Sequence, residues 1–137
     1  MSEFSPSPLV FNGIQPALVG KPCQGFICEA YWHEGKMVCS ANVTFIKIAD
    51  VWHRLSIDVP AIFWRECRDV PRPWAVEAES FDYPHADVGA SAGVIGRTLT
   101  SCDTVPRGDG VSVVFGFSNG CKIEIVSSHD ATSYEVS

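Results

Sequence analysis

At 137 residues the chain is long enough for one domain with a real core, and 46% hydrophobic residues argue against disorder over most of it. A net charge of −6 disfavours nucleic acid as a partner, because phosphate binding needs a basic face, and leaves a protein with a basic surface as the partner to expect. No apolar run reaches membrane-spanning length, and residues 1–6 lack the basic and apolar regions of a signal peptide, so a cytoplasmic protein with mostly reduced cysteines is expected.

Residues 1–8 are rich in Ser and Pro and read as a flexible N-terminal arm, leaving 9–137 as a single β domain. Leu9-Val10-Phe11 reads as a short strand closed by Asn12-Gly13. Residues 23–45 read as a hairpin. Phe26, Cys28, Ala30 and Trp32 share one face, and Met37, Cys39, Ala41 and Val43 share the facing one. A two-residue turn at Glu34-Gly35 pairs Trp32 with Met37, Ala30 with Cys39 and Cys28 with Ala41, although Glu is not favoured in a primed turn.

Ala49-Asp50 marks the next turn. Residues 52–57 and 62–65 form a further hairpin that pairs Ile57 with Ile62 and Leu55 with Trp64. Pro60 cannot take positive φ, which excludes a two-residue primed turn and suggests a four-residue loop over 58–61. Residues 74–81 read as a strand, 84–93 as a crossover loop, and 94–105 as a strand with Gly96 at a bulge. Trp32, Trp52, Trp64 and Trp74 are the expected heavy members of the core.

Residues 111–126 carry the clearest signal. Val111, Val113, Phe115 and Phe117 alternate with smaller or more polar residues, as do Cys121, Ile123 and Ile125. A two-residue Asn119-Gly120 turn would set Phe117 against Lys122 and Phe115 against Glu124. A three-residue loop instead pairs Phe117 with Cys121, Phe115 with Ile123 and Val113 with Ile125, placing every large apolar group on one side. That register requires Gly120 at positive φ. A last short strand falls at 133–136. With no sustained 3.6-residue period, the fold class is mostly β: a single small antiparallel sandwich or partly open barrel built from hairpins, with little helix.

Chemistry is harder to place. Cys23-x4-Cys28 is the only close cysteine pair and lacks the usual zinc-site spacing, so no metal or cofactor is expected. Cys67 has Arg65 and Arg68 nearby to lower a thiol pKa, but nothing in the sequence brings His53 or His85 to it as a base. Glu77 with Glu79, and Asp82 with Asp87, are carboxylate pairs that also suit a solvated surface. His85 is the most site-like histidine, standing in a loop beside Asp82, Tyr83 and Asp87. Arg65, Arg68, Arg72 and Trp74 interleave basic and aromatic residues as protein interfaces do. The binding candidates are therefore Arg65, Arg68, Arg72, Trp74, Asp82, Tyr83, His85 and Asp87.

Ile95-Gly96-Arg97-Thr98-Leu99 and the run from Val113 to Ile125, with a smaller contribution from Trp52-His53-Arg54-Leu55 and Phe63-Trp64-Arg65, resemble small bacterial β domains of unknown function, some of them toxin-immunity proteins. The resemblance covers under half the chain, and Val59-Pro60 departs from it where glycine would be usual. It implies a binding role and identifies no target residues. The expected function is a non-catalytic protein-interaction module. The alternatives are a small-ligand-binding β-barrel and an enzyme using Cys67 or His85. Edge strands also make a homodimer an expectation.

Overall fold

A computed structural model describes residues 9–129 and 131–137; the expected N-terminal arm lies outside them. Two sheets stack as a sandwich that does not close into a barrel. The larger contains β1 (Val10–Asn12), β2 (Gly25–His33), β3 (Lys36–Ile48), β4 (Val51–Asp58), β5 (Ala61–Cys67), β6 (Trp74–Val76), β7 (Phe81–Tyr83) and β8 (His85–Ala86). Its order is β1-β5-β4-β3-β2-β7-β6, with β8 also paired to β2. The smaller runs β12-β11-β10-β9, from β9 (Leu99–Arg107), β10 (Gly110–Phe117), β11 (Lys122–Ser128) and β12 (Ala131–Val136). A short helix α1 (Val88–Ala92) links the two parts and buries Val88.

The β10–β11 hairpin has the register dictated by its apolar face. Phe115 opposes Ile123 and Val113 opposes Ile125, and Gly120 sits at φ 86°. Asn119 Oδ1 accepts from the Cys121 amide at 3.0 Å and holds the loop. Val111, Val113, Phe115, Ile123 and Ile125 are all buried. From the larger sheet come Phe26, Cys28, Ile46, Ile48, Leu55, Ile62 and Trp64. The rings of Phe26 and Phe115 meet edge to face across the gap, 5.2 Å apart at 84°.

The β2–β3 hairpin departs from the expected register. Trp32 does oppose Met37 around the Glu34-Gly35 turn, with both turn residues at positive φ. Beyond it, two irregularities set Tyr31 opposite Cys39, Glu29 opposite Val43 and Cys28 opposite Thr44. Ala30 does not pair with Cys39, nor Cys28 with Ala41. The extra β3 residues bend that strand, as bulges do, and bring it to β12, where the Tyr134 amide donates to Ser40 Oγ at 3.3 Å.

The β4–β5 pairs Ile57–Ile62 and Leu55–Trp64 form as expected. The connection is shorter than four residues, because Asp58 opposes Ala61; the Val59–Pro60 peptide is cis. The strand expected over 74–81 is broken by a 3-10 turn at Glu77–Glu79, after which Ser80 adopts left-handed geometry. The expected loop at 84–93 instead contains β8 and α1, the helix capped by Asp87 and ended by Gly93. Gly96 lies in a turn before β9 rather than in a strand.

Of the four tryptophans only Trp64 is core, at 2% exposure. Trp32 and Trp52 are half-buried, and Trp74 is 50% exposed. Alternation gave Trp74 an inner face to occupy, but on β6, the end strand of the larger sheet among the described residues, it projects from the outer side beside Tyr83.

Phe115→Ala removes the ring that joins the sheets, and a loss of about 3–5 kcal/mol of unfolding free energy is expected in urea titrations. Val105→Ala, on an exposed β9 site, should change it by less than about 0.5 kcal/mol.

Candidate functional site

On β2, residues 26 and 28 enter the core, so Glu29, Tyr31 and His33 project from the other side of the larger sheet. Residues 81–86 run antiparallel to them. Phe81 opposes His33, His85 opposes Glu29, and between these pairs the Ala30 amide donates to the Pro84 carbonyl at 2.9 Å. Trp74 on β6 opposes Tyr83. Cross-strand neighbours share a face, so a group of aromatic side chains assembles on the outer surface.

The group forms two tiers. In the first, Trp74 stacks on Tyr83 at 3.9 Å and 9°, and Tyr83 stacks on Tyr31 at 5.3 Å and 14°. In the second, Phe81 stacks on His33 at 4.8 Å and 29°. Tyr31 also touches Phe81, at 5.8 Å between centroids, which ties the tiers together. Partial burial, then the neighbouring Tyr31 and Glu29, raise the Tyr83 hydroxyl above its ordinary pKa.

Beside the first tier lies a buried polar pair. His85 Nε2 and Glu29 Oε1 are 2.9 Å apart, with the side chains only 10% and 8% exposed. The Phe45 ring packs against His85 at 5.8 Å. A carboxylate this far from water needs its partner, so the pair holds β8 to β2.

Of the eight sequence candidates, the structure brings Trp74, Tyr83 and His85 together. Asp82 lies on the same strand but faces the other way, opposite Trp32 and Ala75. Asp87 caps α1, accepting from the Ala90 amide at 3.1 Å. Arg65 is spent on the β1–β5 junction, donating to the Asn12 and Trp64 carbonyls at 2.9 and 2.8 Å. Arg68 and Arg72 are exposed on the connection between β5 and β6. Glu29, Tyr31, His33, Phe81 and Phe45 were missed. The available signal was the second face of β2, where Glu29, Tyr31 and His33 recur at period two.

The cysteine chemistry has little support. Cys67 lies outward on β5 opposite Trp52, whereas His53 opposes Glu66 on the other side of the sheet. Burial pushes the Cys67 thiol up, against a lowering contribution from Arg54. Burial also raises Cys23 to about 11, and Cys28 and Cys102 to about 12. All six cysteines are free, and among the described residues no three His, Cys, Asp or Glu side chains converge as a metal set. A cleft of about 310 Å³ is lined by Ile57, Asp58, Val59, Asp109, Ser127 and His129. Its Asp109 is already engaged by Ser128 and His129, at 3.3 and 3.5 Å.

His85→Ala leaves the Glu29 carboxylate buried and alone, and a loss of about 3–5 kcal/mol is expected in denaturant unfolding, more than for Glu29→Gln, which keeps a hydrogen-bonding group. The raised thiols predict a pH effect. In the unfolded chain they ionise near pH 9 while in the fold they stay protonated, so their stabilisation is complete below about pH 9 and lost as pH rises towards 12. Urea midpoints measured from pH 8 to 10 should fall, and fall less steeply in Cys28→Ala.

No protein family, no curated protein and no solved structure matches this chain.

Proposed function

We propose that the chain is a non-catalytic protein-interaction module that docks a partner with a basic surface on the outer face of β2, β7 and β6. The observation that carries this reading is the aromatic group ending in Trp74. It contributes nothing to the space between the sheets, yet it holds a large ring half in water. Tyr and Trp are the side chains that most often dominate binding energy at interfaces. Carboxylates flank the group: Glu34 at the β2–β3 turn and Glu77 and Glu79 after β6 are all exposed. The overall charge of −6 favours encounter with a basic protein in the same sense.

The resemblance to small bacterial β domains of unknown function, some of them toxin-immunity proteins, supports the same role, and in that case the neutralised protein is the basic partner. A small-ligand barrel is the weaker reading because Phe26, Phe115, Phe117, Leu55 and Trp64 fill the interior. An enzyme is weaker because His85 is committed to Glu29 and His53 lies on the other side of the sheet from Cys67.

Capture from the native cell extract, comparing the wild-type chain with a Trp74→Ala/Tyr83→Ala variant, tests the proposal. A protein with a basic surface should be retained by the wild type, and lost both with the variant and at about 0.5 M salt. Equal recovery by both proteins would overturn it.

A further inference from the structure

Among the described residues β6 is the last strand of the larger sheet, and none of them places a strand on the other side of its backbone. The first aromatic tier runs towards that open side, from Tyr31 through Tyr83 to Trp74. Its ring spacings of 5.3 and 3.9 Å bracket the distance between neighbouring strands, about 4.8 Å. The next place in the tier therefore coincides with the side chain of a strand added to β6. One face of the Trp74 indole lies against Tyr83 and the ring is 50% exposed, which leaves its other face open. Among the described residues the only cation set over an aromatic ring is Arg65, over Phe63, so Trp74 has none.

We propose that the free edge of β6 takes an extended basic peptide segment as an added strand, with an arginine side chain stacked on the open face of Trp74. The proposal rests on the protein-interaction reading and names the segment recognised. Strand addition supplies main-chain hydrogen bonds, and alternate side chains supply the choice of sequence. A guanidinium is flat, stacks on an indole face and is attracted by its π electrons. A nucleobase would stack as well but brings phosphate to an acidic protein.

The charges around β6 agree. Glu77 and Glu79 follow its last residue, and Asp82 lies beside Ala75 on the reverse face, where the guest's alternate residues would project. Arg72 stands just before the strand, at the Trp74 end, so basic residues of the guest other than the stacked arginine belong towards the Glu77–Glu79 end. Because β6 has only three residues, backbone pairing alone is a weak hold, and the stacked arginine carries most of the selectivity.

The test is a titration of the isotope-labelled full chain, followed by nuclear magnetic resonance. The probes are a short end-capped peptide alternating arginine and valine, and its twin with each arginine replaced by citrulline, which keeps the shape and removes the charge. The arginine peptide should shift the amides of residues 74–76, the Tyr83 amide and the Trp74 indole. The citrulline peptide should bind about ten-fold more weakly or worse, and Trp74→Ala should lose a similar factor. Absence of binding, shifts centred elsewhere on the acidic surface, equal binding of the twin, or full affinity in Trp74→Ala would each overturn the proposal. If the arginine peptide leaves β6 untouched while capture of the native partner still depends on Trp74, the strand-addition site is wrong and the interaction role stands. If capture does not depend on Trp74 either, both fall.

Discussion

The edge-to-face contact between Phe26 and Phe115 is where the two sheets become one structure. Each ring comes from a strand whose alternate residues are apolar, and each would face water without the other sheet. Burying such a pair supplies the hydrophobic term and a favourable aromatic geometry together. It also fixes the facing of β2. With Phe26 and Cys28 turned inward, Glu29, Tyr31 and His33 have only the outer side to occupy.

That facing separates the packed core from the outer surface. The inner side is packed with aliphatic and aromatic groups. The outer side collects what the core does not use: stacked rings, and a glutamate–histidine pair shielded by Phe45. The pair anchors β8 against β2, and through Pro84 this positions Tyr83 beside Tyr31. Trp74, at the end of the row, is held by one neighbour and left open on its other side.

Much of the fold could be read in the sequence, because period two is a direct consequence of strand geometry. The β10–β11 register followed from keeping Phe115 and Ile123 on one side, and the β4–β5 pairs followed likewise. The β2–β3 register was not legible: bulges respond to the bend that brings β3 to β12, a long-range demand with no local signature. The β4–β5 connection was likewise tighter than the four-residue loop expected, with Asp58 opposite Ala61. Trp74 was misplaced in the core because hydrophobicity cannot tell an edge strand from a central one. The site was half visible. Trp74, Tyr83 and His85 stood out within a short stretch, whereas Glu29 and Tyr31 lie some fifty residues earlier and join them only through the pairing of β2 with β7 and β8. Asp87 and Arg65 drew notice for their charge and proved to hold the fold.

The central claim is that the outer aromatic row exists for binding and not for folding. The unfolding free energy of Trp74→Ala tests it most directly. A half-exposed ring with one stacking neighbour should cost no more than about 1.5 kcal/mol when removed, with the native fold retained. A loss as large as that of a core truncation, about 3–5 kcal/mol, would make the row structural and contradict the account.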